Sequence, residues 1–266
     1  MDATPRRDQS CRVIHCYETR HTRNETICRA FAQGCRGKVV PPAPLRPGAV
    51  FMYGCLRGLK PTLDQAVAEG RTWYYADNGY FRQGRGKQIH VGYFRVTRNA
   101  IVHDGSGQAQ PERWRRLGLE IKPWRETGSH VVVCPPDLRY GELWGLDHEA
   151  WLKETLKRLK SATDRPIHVR LREVRSDPLK PFAEAIRDAW CLVTHHSNAA
   201  VEAALAGVPV ICTGPCGATS ISTTEIERVE DPPMPDDRER WAAVLAASQW
   251  RLDEMRSGEC WQQLVH

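Results

Sequence analysis

The amino-acid sequence predicts an α/β protein of two lobes, each built on a parallel sheet, with a cleft between them. Three observations lead there. Apolar runs of strand length alternate with helix-like segments along the chain, the order that builds parallel sheets through crossover helices. The series restarts after a Gly/Gln/Pro-rich stretch at 104–111, which divides it in two. The clearest unit, CLVTHHSNAAVEAALAGVPVICTGPC at 191–216, reads as strand, turn, alanine-rich helix, glycine stop and second strand.

Residues 1–10 read as a disordered tail. A buried strand is expected at 12–17 and a helix at 24–32, ended by Gly34 and Gly37. PPAPLRPG at 41–48 excludes regular structure and makes a rigid connector. A strand at 49–53 precedes a helix opened by Pro61 and stopped at Gly70, with proline in the first turn, where it suits helix geometry. The strand at 72–76 runs into Asp77-Asn78-Gly79; a Gly- and Arg-rich loop covers 82–87, and short strands at 93–96 and 100–103 flank Asn99.

In the second half, a valine-rich strand at 130–134 ends in Pro135-Pro136-Asp137. A helix at 149–159 places Leu152, Leu156 and Leu159 on one side. A strand at 166–171 carries His168 and Arg170 at alternate positions, and a helix is expected at 181–189. Two C-terminal helices, 241–249 and 252–258, meet near Trp250. No internal repeat of fixed short period appears. The implied domains are the tail, an N-terminal lobe at 11–115 and a C-terminal lobe at 116–266 that includes the terminal helices.

A length of 266 residues and 41% hydrophobic content suit a globular chain with a substantial core. No apolar run approaches the roughly 20 residues that span a bilayer, and MDATPRRDQS has no apolar signal core behind its arginines. A cytoplasmic location with no membrane partner is expected. Of ten cysteines, several (Cys11, Cys16, Cys134, Cys191 and Cys212) lie in apparent strands, and the spacings make no paired zinc pattern. Free thiols and no metal are expected. The net charge of +6 is modest, but Tyr80, Arg82, Arg85, Lys87, Arg95 and Arg98 crowd one region where bases and aromatics interleave. That mixture suits a phosphate backbone with stacked bases; a solvated basic face over buried aromatics is the competing reading.

Thr194 to Ala199 is an unusually polar strand–helix junction. Ser197 or Asn198 can cap the helix, and Gly207 ends it in the left-handed conformation. The helix start would turn N–H groups and positive dipole toward the sheet's carboxyl edge, where phosphates bind. Arg170, Thr194, His196, Ser197 and Asn198 are the candidate anion-binding residues. His195 and His196 point opposite ways, so at most one of them faces the ligand. Glu225, in a Ser/Thr-rich run, is a sugar-hydroxyl candidate or an ordinary helix cap. In the first lobe Asp77 ends an aromatic strand, where partial burial would suit a general base; a simple tight turn is the alternative.

SNAAVEAALAGVPVICTG resembles the sugar-nucleotide half of GT-B-type glycosyltransferases, with their two Rossmann-like lobes. The resemblance implies that Ser197 and Asn198 face a donor diphosphate, Glu225 holds the donor ribose, Asp77 is the acceptor base, and no metal takes part. WYYADNGYF, YFRVTRNA, IKPW and THHSNAAVEA, over about residues 70 to 260, resemble small phage-encoded glycosyltransferases acting on hydroxymethylated DNA bases. A UDP-sugar donor, a hydroxymethylpyrimidine acceptor in DNA and a host-cytoplasm location follow from that resemblance. The chain is short for a GT-B enzyme. Epimerisation or transfer to another acceptor on the same fold, and nucleotide or nucleic-acid binding without turnover, are the alternatives.

Overall fold

The computed structural model describes residues 13–55, 57–84, 86–171 and 181–265; the expected tail at 1–10 and Arg85 lie outside them. The chain forms two compact units. One takes the chain up to Ile101 and again from Ser248, and the other is Val102–Ala247.

The first unit contains β1 (Ile14–Tyr17), α1 (Thr22–Cys35), β2 (Lys38–Val40), β3 (Ala49–Tyr53), α2 (Lys60–Ala68), β4 (Trp73–Asn78) and β5 (Phe94–Arg98). The second contains α3 (Pro111–Leu117), β6 (His130–Cys134), α4 (Leu138–Trp144), α5 (His148–Ala162), β7 (Ile167–Val169), α6 (Phe182–Ala185), β8 (Ala189–Thr194), α7 (Ala199–Leu205), β9 (Val210–Cys212) and α8 (Arg238–Ala247). The chain then re-enters the first unit through β10 (Gln249–Trp250), α9 (Leu252–Ser257) and α10 (Glu259–Val265).

The first unit's sheet runs β10-β5-β4-β3-β1-β2. Its β2, β1, β3 and β4 are parallel, as expected from the crossover helices between them, whereas β5 and β10 pair antiparallel. No crossover helix separates β4 from β5, so the chain can return beside β4 only in the opposite direction. Residues 100–103 form no strand. Phe31 of α1 stacks on Phe51 of β3 with centroids 3.8 Å apart, and Trp261 of α10 meets Tyr74 edge-on at 5.3 Å. Trp250, Leu252, Met255 and Cys260 lie in this same core. The terminal helices therefore belong to the first unit, where the order of elements along the sequence places them with the second lobe.

The second sheet, β7-β6-β8-β9, is wholly parallel. Its core joins Val131, Val133, Cys191, Val193 and Ile211 to Leu159 of α5. Gly207 ends α7 at φ +80°, and a Cβ there would collide with the Pro123 carbonyl. The IKPW segment lies along that end, with Lys122 N–H donating to Leu205 O (2.9 Å) and Arg125 N–H to Gly207 O (2.8 Å). Arg238 of α8 donates to Ala204 O at 2.8 Å and stacks over Trp124 at 3.7 Å. Nine cysteines among the described residues are free, and eight of these are buried.

Candidate functional site

The carboxyl ends of β6, β7, β8 and β9 form one rim in the second unit. Thr194 Oγ1 donates to Cys134 O at 2.6 Å, and Thr213 N–H to Thr194 O at 2.9 Å. Arg170 continues the pairing of β7, its N–H donating to Val133 O at 2.8 Å, while its guanidinium lies 5.3 Å over Phe182. Burial pushes the Cys134 thiol up to about 12, against the opposing charge of Arg170. That thiol is a packing group, not a nucleophile.

Between β8 and α7 the chain turns through His195–Asn198. Ser197 Oγ accepts the Ala199 N–H at 3.1 Å, while Asn198 has helical backbone angles and caps nothing through its side chain. Of the two capping candidates, the serine takes the role. His195 and His196 have different partners. His195 Nδ1 is 3.1 Å from Thr213 Oγ1, which also accepts Trp151 Nε1–H at 2.8 Å. Gly214 lies so close to the His195 ring that a Cβ would overlap it. Burial holds the His195 pKa below the ordinary value, so the imidazole is neutral near pH 7. His196 stacks on Tyr140 of α4, with centroids 4.2 Å apart and planes at 15°. Burial raises the Tyr140 pKa. A cavity of about 330 Å³ opens beside His195, walled by Trp151, Thr213, Leu146 and Ile226.

Glu225 is exposed at the start of a short 3-10 turn, its N–H donating to Thr223 Oγ1 at 3.2 Å. Thr223 bridges to Ile211 of β9, so Glu225 lies two residues beyond that strand's flank. It caps no helix through its side chain. No group of three His, Cys, Asp or Glu side chains is placed to hold a metal ion among the described residues. Nor is any helix among them long and apolar enough to cross a membrane.

In the first unit Asp77 lies opposite Arg95 in the β4–β5 register. Arg95 Nη2 donates to Asp77 Oδ2 at 3.0 Å, and the Asn78 N–H donates to Asp77 Oδ1 at 2.7 Å. The Arg95 side chain is only 8% exposed and that of Asp77 31%. Burial opposes the Arg95 charge, but Asp77 and the surrounding tyrosines more than offset it and raise its pKa. Arg23 of α1 braces the same strand end, donating to Asn78 Oδ1 at 2.6 Å and Gly84 O at 2.5 Å. The N–H groups of Tyr80 and Phe81 both donate to Gln249 Oε1, at 2.9 and 3.0 Å.

The basic and aromatic cluster is therefore divided. Arg82, Lys87 and Arg98 are exposed. Arg95 is buried against Asp77, and Tyr80 is 2% exposed with the Arg95 guanidinium 5.5 Å from its ring. A base cannot stack on a ring sealed in the core, so Tyr80 and Arg95 serve the fold where the sequence pattern assigns them to DNA.

No family model matches the sequence, and no curated protein does. The fold does match. It is similar to the beta Kdo 2,4 transferase of Thermosulfurimonas dismutans KpsC, with a TM-score of 0.53 at 13% identity over 88% of this chain and 90% of that one. It is similar also to the beta Kdo 2,7 transferase of the same KpsC, with a TM-score of 0.53 at 13% identity over 94% of this chain and 99% of the other. The architecture is α/β and GT-B-like.

Tyr140 and Trp151 are not apparent as site residues in the sequence, although both touch the histidine turn. Their signal is faint. Tyr140 sits on a helix of seven residues, less than two full turns and too short for a periodic pattern. Trp151 precedes Leu152 on α5 and so looks like part of that helix's apolar side. The Thr-Arg-His-Thr-Arg-Asn run at 19–24 is a second polar strand–helix junction, like that at 194–198, and only the structure draws it out.

Proposed function

We propose that the protein transfers a sugar from a nucleotide sugar to a hydroxyl acceptor. The rim at the carboxyl ends of β6 to β9, in a GT-B-like fold, carries the reading. The turn at Ser197–Asn198 and Arg170 would face the donor phosphate, where negative charge grows as the sugar leaves. Thr194 holds the turn to β6 through Cys134. His196, stacked on Tyr140, offers a flat surface for a donor ring. Glu225 is the ribose candidate. Asp77 is the candidate base for the acceptor hydroxyl, with Arg95 orienting its carboxylate. The proposal assigns no metal to the transfer.

The donor is to be sought among UDP-sugars and an activated Kdo, since the neighbours in fold are Kdo transferases. The acceptors to offer are DNA carrying hydroxymethylcytosine, ordinary DNA and an acidic oligosaccharide. Product masses decide between them. Release of nucleotide together with one sugar-sized mass gain on a hydroxyl acceptor is the expected result. Nucleotide bound saturably with no donor consumed in any combination would replace transfer with the binding-only reading. Arg170→Ala should raise the donor KM, and Asp77→Asn should abolish turnover while leaving donor binding intact. Full activity of folded Asp77→Asn would remove the base assignment.

A further inference from the structure

A cavity of about 660 Å³ opens in the first unit among residues that have no role in the proposed transfer. Its size falls within the range of about 300–1,000 Å³ that holds small ligands. It lies where β1 and β2 end and the chain turns into α1, the edge at which parallel sheets receive ligands.

The turn there is tightly built. The Thr19 N–H donates to Asn24 Oδ1 at 2.7 Å, and the Thr19 carbonyl accepts the His21 N–H at 2.7 Å. Asn24 Nδ2 in turn donates to Tyr53 O at 3.1 Å, binding the end of β1 to that of β3. The Thr19 side chain makes no use of this order. Thr19 lines the cavity and is 5% exposed, yet its hydroxyl oxygen has no hydrogen-bond partner. A buried hydroxyl without a partner is unfavourable, and a water or a bound group that supplies one relieves the cost. That oxygen has no accessible surface as it stands, so a bound group would reach it only through a rotation about χ1 that exchanges hydroxyl and methyl. No side chain caps the start of α1, a helix of 14 residues whose positive end lies at this turn.

The lining has a defined charge. Arg20 and Arg57 are exposed cavity residues. Glu18 is matched by Arg29 through two bonds of 2.7 and 2.8 Å, so among the described lining residues Glu25 is the one carboxylate not engaged in such a pair. Two guanidinium groups against one carboxylate favour an anion, and their forks fit carboxylate and phosphate alike. Val40, Pro41 and Pro42 offer an apolar wall, and Glu25 can accept from hydroxyls.

We propose that this cavity binds an anionic sugar, one bearing a carboxylate or a phosphate, through Arg20, Arg57 and Thr19. The inference does not rest on the transfer reading, because it is tested by binding alone. The test is an NMR titration of the full ¹⁵N-labelled chain with glucuronate, glucose 6-phosphate and uncharged glucose. Amides at 19–25 and 57 should shift saturably with an acidic sugar and far less with glucose; which acid acts at lower concentration identifies the anion. The Arg20→Ala/Arg57→Ala variant should bind at least about tenfold more weakly. Thr19→Val should bind about fivefold more weakly while melting no lower than the parent, since it removes an unsatisfied hydroxyl. Thr19→Ser should keep the parent affinity. Silent amides at 19–25 with both acids, equal response to glucose, or undiminished binding by the double-arginine variant would each overturn the proposal.

Discussion

Arg95 carries a charge with 8% of its side chain exposed, and Asp77 is the carboxylate that meets it. A buried charge that loses its partner costs far more than the pair contributes. Asp77→Ala should therefore destabilise the first unit by about 3–5 kcal/mol, and Arg95→Met in the same chain should restore most of the loss, both read by urea unfolding. Turnover of Asp77 variants is interpretable only beside such a curve. Asp77 is legible in the sequence as a carboxylate ending a strand; its partner is not. Arg95 falls in a basic cluster that the sequence offers to DNA or to solvent, but four of the five residues from Phe94 to Arg98 are buried. The histidines lead to a pH prediction. Burial is the leading cause that lowers the pKa of His15, His103 and His195 from 6.5. Below that value the unfolded chain binds protons that the folded chain refuses, so stability falls as pH falls. Tm should be flat above about pH 7 and decline below about 6.5, with a shallower decline in His195→Gln. A Tm independent of pH between about 7.5 and 5.5 would contradict the burial of these rings.

The unit from β8 through α7 to β9 is legible in the sequence because each signal agrees: apolar strands, a polar turn, an alanine-rich helix and a glycine stop. Gly207 is needed there for two reasons, a φ of +80° and the approach of the Pro123 carbonyl. The two can be separated. Gly145 ends α4 at φ +69°, with open space within 4 Å of the point a Cβ would occupy, so Gly145→Ala should lose only the left-handed penalty of about 1–2 kcal/mol. Gly207→Ala should lose that and roughly a further 1–3 kcal/mol, the cost of overpacking, seen as a lower urea midpoint. Equal losses would mean that the Pro123 contact yields freely. The elements that the sequence does not announce are short. A strand of two residues such as β10 and helices of seven such as α3, α4 and α10 have too little length for a period to show. Tertiary pairing makes them: β10 exists because β5 offers Phe94 and Arg95 as antiparallel partners.

That pairing carries a consequence for the molecule as a whole. The chain leaves its first unit at Ile101 and returns at Ser248, so the core around α1 closes only after its last helices are in place. Trp250, Leu252 and Met255 are at most 1% exposed within it. Burying side chains of this size is worth about 1.5–3 kcal/mol each, so three of them contribute about 5–9 kcal/mol. A domain's net stability is about 5–15 kcal/mol, and the Gln249 bonds to Tyr80 and Phe81 would be lost as well. A chain ending at Ala247 should therefore have an unfolded first unit beside an intact second one, whose core of Val131, Val133, Val193 and Ile211 draws nothing from the last residues. Hydrogen exchange reads the two separately. Amides of β1, β3 and β4 should exchange rapidly in the truncated chain, while those of β6 and β8 stay protected. Loss of protection in β6 and β8 instead would return the terminal helices to the second lobe, as the order of elements along the chain first suggests.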